Sequence, residues 1–112
     1  MFTNFRYAFD ELLHLKQLSL SHNQLKSIKK EVFAQLTSLE ILILDYNFLE
    51  DINGVFMVLD NLKYLNLIGN HVKWFDMAFF PKSVQFINLS QRKDISFLMS
   101  TRDIKTSDLL LR

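Results

Sequence analysis

The apolar residues of this chain follow a pattern that changes period every dozen residues and then repeats. Leu15, Leu18, Leu20, Asn23 and Leu25 spell L-x-x-L-x-L-x-x-N-x-L, and the same spacing returns at Leu39, Leu42, Leu44, Asn47 and Leu49. It returns again at Leu62, Leu65, Leu67, Asn70 and Val72, and more weakly at Val84, Ile87 and Leu89. On a helix, Leu18 and Leu20 would stand at about 300° and 140° from Leu15 and face nearly opposite ways. On a strand they share one face, with Gln17, Ser19 and Ser21 on the other. The spacing therefore predicts short strands over Gln17–Ser21, Ile41–Asp45, Tyr64–Ile68 and Phe86–Ser90, stacked one repeat apart into a parallel sheet.

The repeats start at Leu15, Leu39, Leu62, Val84 and Thr106, at intervals of 24, 23, 22 and 22 residues. A fixed period in this range is the mark of a stacked solenoid. The chain then divides as one array: a partial repeat over 1–14, full repeats over 15–38, 39–61 and 62–83, a degenerate repeat over 84–105 and a truncated one over 106–112. After each strand the period lengthens. Ile28, Val32, Phe33 and Leu36 suit a short helical or 3₁₀ return with one buried stripe, and Ile52, Phe56 and Leu59 hold equivalent places. Lys29, Lys30 and Glu31 fall on the solvated side of that return. The third return is irregular. Ala78 and Pro81 fall in the Phe and Leu places, with Phe79 and Phe80 beside them to take over the filling, and Pro81 favours an extended path. In the fourth repeat Arg92 and Asp94 replace the expected Asn and Leu, while Ile95, Phe97, Leu98 and Ile104 can still add core. Leu109 and Leu111 read as the start of a fifth strand.

Asn23, Asn47 and Asn70 form one column. Past each strand the chain turns inward and buries backbone polar groups, and the Asn side chain supplies two donors and an acceptor on a short stem to satisfy them. Three in one column point to a structural ladder rather than to catalysis.

These residues resemble the leucine-rich repeat family, in its typical subclass of about 24 residues, L-x-x-L-x-L-x-x-N-x-L-x-x-I-x-x-x-x-F-x-x-L. Leu15 to Leu36 fits every position, Leu39 to Leu59 fits with one deletion, and Leu62 to Pro81 fits in its first half. The resemblance implies an α/β fold: a right-handed leucine-rich repeat solenoid with short parallel strands on the concave face and irregular or short helical returns on the convex face. It also implies a protein that binds another protein on the concave sheet. The subclass is most similar to extracellular and receptor ectodomain arrays of innate immunity and signal transduction, such as Toll-like receptors and insect leucine-rich immune proteins. By that likeness the expected location is extracellular or a receptor ectodomain, although such arrays usually carry cysteine-bearing caps and this chain has no cysteine.

Strand alternation names the concave columns: Gln17, Ile41, Tyr64 and Phe86; Ser19, Ile43, Asn66 and Asn88; Ser21, Asp45, Ile68 and Ser90. Flanking columns hold Lys16, Glu40, Lys63 and Gln85 on one side and His22, Tyr46, Gly69 and Gln91 on the other. Aromatic and aliphatic groups at solvent-facing places are what an interface core needs. The expected partner-binding set is Ile41, Ile43, Tyr46, Tyr64 and Phe86, with Asp45 supplying a charge.

Composition narrows the chemistry. Eleven Phe among 112 residues promise an aromatic core, and two Gly with one Pro argue against a hairpin-rich all-β fold. The absence of Cys excludes disulfides, thiolate metal sites and a thiol nucleophile. His14, His22 and His71 stand in three different repeat columns, so no metal site is expected, and no phosphate loop, nucleophile elbow or cofactor motif occurs. A net charge of +1 gives no general field for nucleic acid or an anionic membrane. No apolar h-region follows Met1, and Asn88-Leu89-Ser90 is the chain's sequon for N-glycosylation, read as a chance match because a glycan there would obstruct the concave sheet. The expected function is a protein-binding module of a receptor-like or secreted array, with an intracellular scaffold or adaptor that regulates an enzyme as the alternative, and an enzyme in its own right a distant third. With Phe2, Phe5 and Phe9 set against the Leu15 layer and Leu109-Leu110-Leu111 left uncovered, the ends predict self-association or membership of a longer array.

Overall fold

A computed structural model describes residues 11–72 and 74–89, together with the backbone of two further strands, Ser96–Leu98 and Leu109–Leu111. The side chains of Phe2, Phe5, Phe9, Ile95, Phe97, Leu98 and Ile104, expected to add core, lie outside the described residues, as do those of Trp74, Phe75, Leu109 and Leu111 and the residues Ser90, Gln91, Arg92 and Asp94.

Five strands make one parallel sheet. They are β1 (Gln17–Ser19), β2 (Ile41–Ile43), β3 (Tyr64–Leu67), β5 (Phe86–Leu89) and β7 (Leu109–Leu111), adjacent in that order. Leu18, Leu42, Leu65 and Ile87 stand opposite one another on successive rungs. Each rung is therefore displaced from the last by one sequence repeat, and the leucine spacing is the register of the sheet. The strands are shorter than their apolar pattern, because the residues that follow each one already turn inward.

The rungs are tied by a bonding scheme that recurs with the repeat. Just before each strand one carbonyl accepts two N–H groups from the next coil. Lys16 O takes Glu40 and Ile41 N–H, Glu40 O takes Lys63 and Tyr64 N–H, and Lys63 O takes Gln85 and Phe86 N–H, all at 2.8–3.0 Å. Just after the strand, His22 N–H reaches Asp45 O at 3.0 Å and Tyr46 N–H reaches Ile68 O at 2.7 Å.

The core fills the space behind the sheet. Leu39, Leu42, Leu44, Leu49, Ile52, Phe56 and Leu59 are each at most 1% exposed, and the next coil buries Leu62, Leu65, Leu67, Val72, Met77 and Phe80 almost as fully. On the convex side Phe33, Phe56 and Phe80 form a spine, with ring centroids 5.7 and 5.9 Å apart and tilted planes. Offset or tilted aromatic pairs at this distance contribute beyond their buried area.

The returns differ from coil to coil. The first contains a 3₁₀ turn over Lys30–Phe33 and the second only turns. The third is extended over β4 (Trp74–Asp76), which pairs in parallel with β6 (Ser96–Leu98) as a second, two-stranded sheet, and then makes a 3₁₀ turn over Met77–Phe79. Asp76 caps that turn by accepting Ala78 N–H at 2.9 Å. Of the two rings set to take over from Ala78, Phe80 does so and Phe79 does not: Phe80 holds the Phe place against Phe56, Met77 is buried with it, and Phe79 is 45% exposed. Phe80 stands 18 residues after Leu62, as Phe33 stands 18 after Leu15, and the count back from Val84 misses it because only four residues separate Phe80 from Val84 where six separate Phe33 from Leu39 and Phe56 from Leu62. Pro81 is buried and Phe80 before it is extended, as a residue preceding proline prefers. Among the described residues no helix is long and apolar enough to cross a membrane.

Candidate functional site

The sheet register decides which outward side chains are neighbours. Ile41, Tyr64 and Phe86 stand opposite one another on β2, β3 and β5, with Gln17 continuing the column on β1. Ser19, Ile43, Asn66 and Asn88 form the second column. Rungs of a sheet lie about 4.8 Å apart, so three such side chains touch along a column. Ile41, Ile43 and Tyr64 are half-buried by these contacts, while Phe86 is 40% exposed. The surface is graded: Gln17, Ser19 and Ser21 make its first rung polar, and the next rungs set Ile41, Ile43, Tyr64 and Phe86 beside Asp45, Asn66 and Asn88. Asn88 is sunk in it, its amide Nδ2 donating to Tyr64 Oη at 3.3 Å, and its Oδ1 has no hydrogen-bond partner among the described residues. That contact fixes the Tyr64 ring from its far end.

Asp45 and Tyr46 sit where the strands turn. Ser21 hydroxyl donates to Asp45 Oδ1, which joins the first two coils. Tyr46 is left-handed, with φ +56°, and so are His22 and Gly69 at the same place in the coils before and after, at +58° and +76°. This conformation strains residues that carry a Cβ, by roughly 1–2 kcal/mol each. The column's side chains use the geometry it creates. His22 and Tyr46 stack with centroids 4.8 Å apart and planes 16° from parallel. The other face of Tyr46 lies on Gly69, where a Cβ would come 2.5 Å from Tyr46 Cδ1. Gly69 is thus both the residue that tolerates the turn and the gap that receives the ring. Tyr46 is held on both faces, yet it remains 52% exposed.

A second stack runs beside the first. Phe48, 44% exposed, lies 5.6 Å from His71 with planes 8° apart. Sequence reasoning did not single out Phe48 and weighed His71 only as a metal ligand. Phe48 occupies the x of N-x-L, where the other coils place Gln24 and His71, and a large apolar residue at a place the pattern leaves polar was the available signal. Together Tyr46 and Phe48 extend the apolar concave patch around the exit of the strands.

The Asn column faces the other way, into the turn. Asn47 Oδ1 accepts Asn23 N–H at 2.9 Å and Leu25 N–H at 3.0 Å, and its Nδ2 donates to the carbonyls of Leu20, Leu44 and Asp45. Asn70 Oδ1 accepts Leu49 N–H at 3.0 Å, and its Nδ2 donates to Leu44, Leu67 and Ile68. Both are buried. Asn23 is exposed, and its Nδ2 donates back to Ser21 O at 3.1 Å.

Two remaining features carry no chemistry. Lys16 and Glu40 pair at 3.4 Å on the surface, an arrangement that stabilises little. Among the described residues no three His, Cys, Asp or Glu side chains converge to hold a metal.

Known proteins share this architecture in their sequences. The leucine rich repeat profile matches residues 13–72. Toll-like receptor 7 of Drosophila melanogaster is 51% identical over 45 residues, which are 40% of this chain and 3% of that protein. Lumican of Mus musculus is 38% identical over 82 residues, 70% of this chain and 24% of lumican. Protein singed wings 2 of Drosophila melanogaster is 32% identical over 69 residues, 62% of this chain and 14% of that protein. The chain thus spans at most about a quarter of each of these relatives. The profile, the parallel rungs and the Asn column agree: the chain belongs to the leucine-rich repeat family.

Proposed function

We propose that this chain is a non-enzymatic module that binds another protein on its concave sheet, within a receptor-like or secreted recognition protein. The contact set is Ile41, Ile43, Tyr46, Tyr64 and Phe86, with Asp45 providing a polar anchor at the strand exit. One observation carries the reading. Ile41, Tyr64 and Phe86 share a column across three adjacent strands, and the exposed Tyr46 and Phe48 border the same sheet at its exit. Central apolar and aromatic side chains with a polar margin are the anatomy of a protein interface, and Tyr is over-represented among its hot spots. The likeness to a Toll-like receptor supports the receptor-like setting.

The test pairs Ile43→Glu with Tyr64→Glu and compares recovery of bound proteins with the unaltered chain as bait. Recovery of the specific partner is expected to fall at least about tenfold, since two charges placed in an apolar interface core each weaken binding by a kcal/mol or more. Lys29→Glu with Lys30→Glu, on the convex surface, serves as the matched control. Equal recovery by the concave variant, with both variants folded, would remove the concave sheet as the binding surface.

A further inference from the structure

The second return begins Asp51-Ile52-Asn53-Gly54, and no other asparagine of the chain precedes a glycine. Asn53 and Gly54 are half-buried at a turn that the Asp51 side chain sets by accepting Asn53 N–H at 3.2 Å. Gly54 is left-handed, with φ +81°, and a Cβ there would meet nothing within 4 Å. Its carbonyl accepts Met57 N–H at 3.4 Å, but its own N–H makes no hydrogen bond among the described residues. The Gly54 nitrogen is thus neither shielded by a side chain nor engaged by the turn.

The side-chain amide next to that nitrogen is held for attack. Asn53 Oδ1 accepts the backbone N–H of Asp76 at 3.0 Å, reaching across to the third return. A donor on this oxygen draws charge from Cγ and stands where negative charge grows when a nucleophile adds. The nucleophile is supplied by the chain itself. Gly54 N can close a five-membered ring on Asn53 Cγ, an intramolecular step that needs no second molecule to be brought into place. Asn53 Nδ2, the group that must leave, makes no hydrogen bond among the described residues.

We propose that Asn53 is a self-modification site, which its own main chain converts to isoaspartate, and that the conversion cuts the tie between the second and third returns. Solvent hydroxide takes the Gly54 N–H proton and the nitrogen bonds to Asn53 Cγ. The Cγ–Nδ2 bond breaks, and Nδ2 leaves as ammonia after taking a proton from water. Water then opens the cyclic imide: at the main-chain carbonyl it gives isoaspartate, at Cγ it gives aspartate, and nothing is oxidised or reduced. In isoaspartate Cγ has become part of a longer main chain, so its oxygen leaves Asp76 N–H, whereas aspartate keeps a side-chain oxygen there. Asp76 in turn caps the 3₁₀ turn over Met77–Phe79, so the loosening falls on the segment that delivers Phe80. The proposal does not rest on partner binding by the concave sheet.

The experiment incubates the full 112-residue chain in mildly alkaline buffer, folded and in parallel in urea. Isoaspartate is located by peptide mass spectrometry and counted by labelling with an isoaspartyl methyltransferase. In the folded chain Asn53 is expected to convert at least about tenfold faster than any other asparagine, and no more slowly than in urea, because the turn and the Asp76 N–H set up the reaction. Asn53→Gln, whose amide would have to close a larger ring, is expected to abolish the label at this position. The purified isoaspartate form is expected to unfold at lower urea than the unconverted chain, with Asn53→Asp close to the unconverted chain. Circular dichroism establishes that each variant is folded, and should Asn53→Gln unfold the chain, the folded–urea comparison decides alone. An intact Asn53 in the folded chain, faster conversion in urea, a label that survives Asn53→Gln, or an isoaspartate form as stable as the original would overturn the proposal.

Discussion

At the scale of single residues the solenoid depends on side chains that replace backbone hydrogen bonds lost at the turn. Asn47 is the clearest case, because its five bonds join residues of two coils and its side chain is 1% exposed. Asn47→Ala leaves two N–H groups and three carbonyls without that partner in a space too tight for ready hydration. The expected loss is about 3 kcal/mol or more, as stranded buried groups cost roughly 1–3 kcal/mol each. Asn23→Ala removes one exposed bond and is expected to cost less than about 1 kcal/mol. Urea midpoints of the two variants measure the contrast, and equal midpoints would show that the column does not hold the turns. The Asn positions are legible in the sequence because their spacing is fixed. The dependence of Tyr46 on Gly69 was not, since it requires knowing that two residues 23 apart stack face to face.

At the scale of elements, the returns vary in secondary structure while their buried residues stay in line. A 3₁₀ turn, a run of turns and an extended segment each deliver one ring to the convex spine. The constraint is the space between coils, which the phenyl rings fill, and the backbone takes whichever short path brings a ring there. This explains why counting from Val84 assigned the place to Ala78. A fixed offset holds while the path length is constant, and the segment from the ring to the next repeat start shortens from six residues to four between Phe80 and Val84. Phe56 lies between two rings and is fully buried, so Phe56→Ala is expected to cost about 3–5 kcal/mol through lost transfer energy and a cavity. Phe79→Ala, at the exposed neighbour of Phe80, is expected to stay within about 0.5 kcal/mol. Thermal melting of both distinguishes a spine from a loose apolar surface: a large loss for Phe79 or a small one for Phe56 would place the ring stack elsewhere.

At the scale of the whole molecule, stability in a solenoid is a sum over coils and their contacts, so it follows position along the stack. The fold was readable because each coil repeats the same alternation, and any single ambiguous strand is settled by its counterparts. The concave patch was only partly readable, because Ile41, Ile43 and Tyr64 are good strand formers whether or not anything binds them. Stacking also makes a prediction that contact lists for one coil do not. Leu20 N–H and Leu44 N–H make equivalent rung bonds, 2.8 Å to Ile43 O and 2.9 Å to Asn66 O. Bond length therefore gives no reason for them to exchange with solvent at different rates. Layer burial does, since Leu44 is fully buried between the coils on either side and Leu20 is only partly buried. The Leu20 amide is expected to exchange faster than Leu44 by a factor on the order of ten or more. Amide exchange followed by NMR measures the difference. Equal rates would mean that the described coils open as one unit, with the first held as firmly as the second.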